Sequence, residues 1–184
     1  AGMWLALGGR LGGVARLGKV PDGLAPLFVH TSAPLVEAVQ SINKFSNNVM
    51  ARQVFLTIGN DSAPATAERS KQRISEWLNL RGLRFNELVL DNGSGLSRTE
   101  RISADSLNRL LLDAWKNPVM PEFIASLPIV GIDGTMKKRL NGSEATGRAH
   151  IKTGTLDGVK TAAGYALDAQ GRRYAVTFLI NHPK

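Results

Sequence analysis

The end of the chain constrains the fold most. Three β-patterned segments, Arg148–Thr155, Val159–Leu167 and Arg173–Asn181, follow one another, separated by Leu156-Asp157-Gly158 and by Asp168-Ala169-Gln170-Gly171. Connections this short join only antiparallel neighbours, because a parallel partner needs a crossover of a dozen or more residues. The chain therefore finishes in an antiparallel meander. The last strand is apolar on both faces (Tyr174, Val176, Phe178 and Ile180 on one, Ala175 and Leu179 on the other). That predicts a sheet covered on both sides, by helices. The first strand carries Lys152-Thr153-Gly154-Thr155. A Lys beside a Thr can hold a carboxylate, a strand edge offers free N–H and C=O groups to a peptide, and Gly154 lets another backbone or a ligand come close. The pattern points to a site for a peptide that ends in a carboxylate.

The residues before the meander have mostly helical periods. Ala1–Leu7 reads as the end of a helix, with Met3, Trp4 and Leu7 on one face and Gly8-Gly9 as its stop. Residues 10–30 read as loop, with a short strand at Leu27-Phe28-Val29. Ser32 caps a helix with Pro34 in its first turn; Leu35, Val39 and Ile42 recur along it to about Lys44. A second helical pattern, Met50, Val54 and Ile58, closes at Gly59. Ser46-Asn47-Asn48 thus sits at a break between two helices, where polar side chains either cap the next helix or point into a cleft. A helix from about Thr66 to Leu80 presents Ile74, Trp77 and Leu78, and Phe85, Leu88 and Leu90 mark a short strand. Asp91–Arg98 is a turn-rich loop. Ser103 caps a helix with Leu107, Leu110, Leu111 and Ala114 inward, and Pro121–Leu127 is a further short helix ended by Pro128. Lys137–Glu144 is loop or a short helix.

Composition narrows the function. With 184 residues, 43% apolar and 21% charged, the chain can bury a core and is not a disordered segment. No apolar run approaches the length of a membrane span. The absence of cysteine excludes disulfides and a thiolate nucleophile. His30, His150 and His182 lack metal-ligand spacing, which leaves no candidate metal site among them; no other cofactor is expected. The net charge of +8 favours anionic partners, but it is spread along the chain. Its one dense run, Lys137-Lys138-Arg139, lacks the interleaved aromatics of a single-strand binder and reads as a solvated loop, so nucleic acid is not an expected partner. The chain opens in mid-pattern at Ala1 and reads as a piece of a longer or processed polypeptide.

Helices first, a meander last, Lys-Thr-Gly on its first strand and Ser-x-Asn at a helix break upstream suit serine acyl transfer. In the segments Ile42–Gln53, Asn92–Arg98, Gly131–Met136 and His150–Leu156, in that order, the chain resembles the C-terminal portion of a D-alanyl-D-alanine carboxypeptidase/endopeptidase, the class C penicillin-binding proteins of peptidase family S13. The resemblance covers essentially residues 1–184. It implies an α/β fold of the β-lactamase/transpeptidase type, with helices packed on an antiparallel sheet, as a partial catalytic domain. It implies three motifs around one cleft, Ser-x-x-Lys, Ser-x-Asn and Lys-Thr-Gly, of which two match. Ser46 would relay or donate a proton toward the leaving group, Asn48 would bind the substrate amide, and Lys152 would keep the site electropositive and support Ser46. Thr153 would bind the terminal carboxylate, Gly154 would leave space, and the Thr155 N–H would be an oxyanion donor. The implied partners are peptidoglycan stem peptides, β-lactam inhibitors and the N-terminal portion of the same polypeptide; the implied location is the periplasm.

The departure is the nucleophile. Ser41-Ile42-Asn43-Lys44 is the sole Ser-x-x-Lys here, and it overlaps the stretch just before Ser-x-Asn. The nucleophilic serine is expected on a segment outside this chain, which alone would then be inactive. Two other readings stay open: a β-lactamase or esterase on the same fold, and a basic, non-catalytic binding protein.

Overall fold

The structure is a computed structural model that describes residues 2–14, 16–61 and 64–182. It divides into two compact units, residues 1–32 and residues 33–184. The first unit holds helix α1 (Gly2–Ala6). Gly8, at φ +82°, turns the chain out of it, and the Trp4 indole Nε1 donates to Arg10 O at 3.1 Å. The expected apolar face of α1 is exposed, and residues 27–29 form no strand.

In the second unit the helices are α2 (Leu35–Phe45), α3 (Asn48–Ile58), α4 (Ala67–Leu80), α5 (Ala104–Trp115) and α6 (Met120–Ser126). Their starts follow the capping rule, a side-chain oxygen accepting an otherwise unpaired N–H of the first turn. Asn47 accepts from Met50 N, Thr66 from Arg69 N and Ser103 from Ser106 N. The exceptions are α2 and α6, whose starts have no side-chain cap. Helix α2 begins directly after Pro34, two residues beyond Ser32, so Ser32 is not its cap, and α6 carries a proline in its first turn.

Strands β1 (Ala149–Leu156), β2 (Val159–Leu167) and β3 (Arg173–Asn181) form an antiparallel sheet in the order β1-β2-β3. Lys152 pairs with Ala163 and Gly154 with Thr161. The alternation of the strands divides the core in two. On one face Tyr165, Ala163 and Ala175 pack against Leu111 of α5 and Met120, Phe123, Ile124 and Leu127 of and after α6. Tyr165 is 1% exposed, and its hydroxyl donates to Leu111 O at 2.6 Å, so the one polar atom of a buried ring is satisfied. Burial pushes its phenol up to about 12. On the other face Ala149, Ile151, Ala162, Ala166 and Val176 pack against Val130, Met136 and Ala145.

Two further expectations fail. The strand at residues 85–90 shrinks to a single bridge, Val89 with Arg101. The chain turns between Phe85 and Leu88 before it and enters the 91–98 loop after it, so no second residue pair can form. The sheet is also not covered on both sides throughout. The 129–149 segment reaches Val176 but leaves Tyr174, Phe178 and Ile180 47%, 62% and 58% exposed.

Candidate active site

The site is built where α2 ends. Ser46, the residue after α2, adopts the left-handed conformation (φ 55°, ψ 48°), and its N–H bonds back to Ile42 O. Such a residue usually closes a helix as glycine, since a Cβ costs about 1–2 kcal/mol there. Asn47 then caps α3, so α2 and α3 meet at a break of two residues with Ser46 at its corner. Capping and pointing into a cleft are divided between neighbours: Asn47 performs the first and Ser46 the second.

The corner is fixed from behind. Lys44 is 6% exposed, and its Nζ donates to Leu127 O at 2.7 Å and to Asp133 Oδ2 at 2.6 Å. Asp133 Oδ1 accepts from Ile129 N at 2.7 Å. Gly134 packs so tightly on this turn that a Cβ there would lie 2.5 Å from Lys44 O. Asn43 Nδ2 donates to Ser126 Oγ at 2.8 Å. The end of α2 is thereby tied to the loop that leads into β1.

From the sheet side, Lys152 Nζ donates to Ser46 Oγ at 2.6 Å and to Thr153 O at 2.7 Å. Two residues 106 positions apart in sequence are thus in direct contact. Desolvation holds the Lys152 ammonium below its ordinary range. Beyond the bonds of Val130 N to Ala149 O and Ile151 N to Pro128 O, the outer edge of β1 is open among the described residues. By the two-residue period of a strand, the N–H groups of Thr153 and Thr155 point the same way as that of Ile151, toward this open edge. Gly154 is required by the side chain beneath it. A Cβ at that position would overlap Thr161 Oγ1.

Asn48 Nδ2 donates to Ser94 O at 2.6 Å and so draws the 91–98 loop over the start of α3. That loop turns at Gly93, φ +69°, where a Cβ would collide with Phe55. Arg98 Nη1 donates to Asp157 O at 2.6 Å, which clips the loop to the β1–β2 turn.

Together these elements enclose a cleft of about 620 Å³. Ser46, Asn48, Lys152, Thr153, Gly154 and Thr155, the six residues singled out in the sequence, all line it. Ser41 does not, and no hydrogen bond joins it to Lys44, whose ammonium is engaged elsewhere. Ser41 and Lys44 are therefore not arranged as a nucleophile and its base. The sequence reading gave no site role to Thr161, Ser94, Asp133, Thr135 or Arg139, all in or behind the cleft, although Ser94, Asp133 and Thr135 lie in segments that carry the family resemblance. Chemically, the cleft offers a hydroxyl paired with an ammonium, an amide, a threonine-lined edge and outward N–H groups. Among the described residues no group of three acidic, His or Cys side chains is arranged to hold a metal, and no helix is long and apolar enough to cross a membrane.

Comparison with known proteins gives the same fold and family. The profile of the D-Ala-D-Ala carboxypeptidase 3 (S13) family matches residues 1–184. A D-alanyl-D-alanine carboxypeptidase of Actinomadura sp. is 37% identical over 164 residues, 84% of this chain and 30% of that protein. The D-alanyl-D-alanine carboxypeptidase DacB of Haemophilus influenzae is 29% identical over 179 residues, 95% of this chain and 37% of that protein. The chain thus spans about a third of the length of these relatives. The crystal structure of Haemophilus influenzae penicillin binding protein 4 (dacB), complexed with a novel β-lactam, superposes with a TM-score of 0.85 at 28% identity, covering 97% of this chain and 42% of that one. An extended-spectrum β-lactamase superposes at 0.60 with 16% identity over 89% of this chain and 63% of that one, a likeness of fold alone. The architecture is that of the β-lactamase/transpeptidase type, and the chain belongs to the D-Ala-D-Ala carboxypeptidase 3 (S13) family.

Proposed function

We propose that this chain is the C-terminal part of the catalytic domain of a serine-type D-Ala-D-Ala carboxypeptidase that acts on peptidoglycan stem peptides in the periplasm. The observation that carries the reading is the 2.6 Å bond from Lys152 Nζ to Ser46 Oγ, inside a cleft edged by Thr153 and Thr155. An ammonium held beside a hydroxyl can pass a proton to a departing amine, which is the difficult part of breaking an amide.

In this reading a serine outside residues 1–184 attacks the carbonyl of the penultimate D-Ala. The oxygen of the resulting tetrahedral intermediate takes a hydrogen bond from the outward N–H of Thr155. The proton that the attacking serine gives up returns to the amide nitrogen through Ser46, supported by Lys152, the C–N bond breaks and D-Ala leaves. Water then hydrolyses the serine ester. Asn48 spends one N–H on Ser94 O and keeps its other N–H and its carbonyl for the substrate backbone. Thr153 takes the terminal carboxylate. A β-lactam acylates the same serine. Cleavage of peptide cross-links follows by the same steps when the leaving amine belongs to a second strand.

The test is intact-mass and peptide mapping of the full-length protein after incubation with a fluorescent penicillin. The expected adduct lies on a serine outside residues 1–184, and Ser46→Ala and Lys152→Ala slow its formation by about a hundredfold, the usual scale of general acid–base catalysis. An adduct on Ser41 would show the nucleophile to be misplaced. Absence of any adduct would remove the assignment. Turnover of the penicillin without D-Ala release from stem peptides would favour a β-lactamase.

A further inference from the structure

The 91–98 loop forms one wall of the cleft, where Gly93, Ser94, Gly95 and Leu96 line it. Its base is closed by the bridge between Val89 and Arg101. Between those ends the N–H groups of Asp91, Asn92 and Gly93 meet no backbone carbonyl of the described residues. All three donate instead to a single atom, Glu100 Oε1, at 3.4, 3.4 and 3.3 Å. Successive N–H groups turned toward one point form a nest, a concavity that binds anions. The chain fills this nest with its own carboxylate, carried by the residue next to the closing bridge. An ionised carboxylate suits the place because it only accepts, whereas an amide brings two N–H groups of its own.

From the nest a line of hydrogen bonds runs into the cleft. Asn92, whose N–H is held by Glu100, accepts at its side-chain Oδ1 from Ser94 N at 2.9 Å. Ser94 O in turn accepts from Asn48 Nδ2 at 2.6 Å. Asn48 lines the cleft and Glu100 does not, so a change at Glu100 reaches the cleft only through the loop.

We propose that Glu100 is a positioning residue for the reaction: its carboxylate fixes residues 91–93, and through Ser94 O it sets the orientation of the Asn48 amide. The proposal rests on the carboxypeptidase reading above, in which Asn48 keeps its other N–H and its carbonyl for the substrate backbone. Without the carboxylate, three N–H groups turn to water and the turn at Asn92 loosens. Ser94 O then leaves the start of α3, and the Asn48 amide rotates out of the pose that meets the substrate. Reacting groups held only loosely lose much of the rate that fixed geometry supplies.

The experiment measures penicillin acylation of the full-length protein by stopped flow. E100A should slow acylation about tenfold, the scale of a lost hydrogen bond to a charged group. E100Q, which keeps an oxygen at the same reach, should lose less. The change to alanine removes a CH2–COO unit from a partly exposed position, so acetate should enter the nest and restore part of the E100A rate. Acetamide, equal in size and uncharged, should not. Asn48→Ala should make the protein indifferent to Glu100: adding E100A to it should slow acylation by less than about twofold further, since both changes act through one amide. If E100A does not fold, E100Q with and without Asn48→Ala carries the same comparison. A wild-type rate in E100A, no gain from acetate, E100Q as slow as E100A, or losses that multiply in the double variant would each overturn the proposal and leave the carboxypeptidase reading intact. A wild type that penicillin does not acylate would remove both.

Discussion

Removing Asp133 should damage this protein more than removing Lys44, although the two residues form one ion pair. The reason is unequal burial: the Lys44 side chain is 7% exposed and that of Asp133 37%. In Asp133→Ala the ammonium stays in the core with Leu127 O as its remaining acceptor. Breaking a buried pair from one side costs about 3–5 kcal/mol. The partial exposure of Asp133 places the expected loss near the lower end, about 3 kcal/mol. In Lys44→Met the carboxylate keeps Ile129 N–H and its access to water, while the methionine fills most of the lysine volume. The expected loss is then about 1–2 kcal/mol, the scale of hydrogen bonds to a charged group. The double variant should be more stable than Asp133→Ala alone, because no stranded charge remains. Denaturant unfolding of the full-length protein gives the totals, and amide hydrogen exchange across residues 127–136 gives the local effect. If Lys44→Met is the more damaging change, or if the two losses add, the ion pair is not what holds the end of α2 and the reasoning fails.

Other outcomes follow from single contacts. Because burial lowers the Lys152 ammonium from its ordinary 10.5, penicillin acylation should lose its basic limb below that pH, and Lys152→Arg should move the limb upward in a pH–rate profile. In the same window, between the lowered folded value and 10.5, the unfolded chain binds the extra proton; stability should therefore rise with pH there, and Lys152→Met should flatten the rise in pH-dependent melts. Hydrogen bonds from Ser103 and Ser106 hold Glu87 down at about 2 against an ordinary 4.5. Its contribution to stability is present above 4.5 and lost as pH falls toward 2, so acid titration of Glu87→Gln by circular dichroism should show a weaker loss in that range. Gly154→Ala should slow acylation at least about tenfold through overlap with Thr161 Oγ1, and Thr161→Ala in the same molecule should restore most of it in stopped-flow measurements.

What the sequence made legible depended on how local its cause was. β2 and β3 are bounded by turns whose chemistry is written in three or four residues, and both ends of both strands coincide with the expected ones. The cap Ser103 is likewise settled by a bond spanning three residues. Ser46 and Lys152 could be paired in advance only through the family resemblance, since their contact spans 106 positions. What failed to show was tertiary. Nothing in the period of β3 tells whether a helix lies over Tyr174, Phe178 and Ile180. Nothing in three consecutive exposed cations tells which one will line a cleft, as Arg139 does. Pro34, not Ser32, stands directly before α2, and no side chain caps its first turn.

The left-handed corner at Ser46 has a consequence for anyone who selects variants of this protein by how well they fold. Ser46→Gly would relieve about 1–2 kcal/mol of backbone strain and forfeit a side-chain bond to Lys152 of similar size, leaving folding nearly unchanged. The same substitution deletes the hydroxyl through which the cleft would move a proton. Yield, solubility and melting temperature are all blind to it, so a library sorted on those readouts would carry this slowed variant forward as a neutral one.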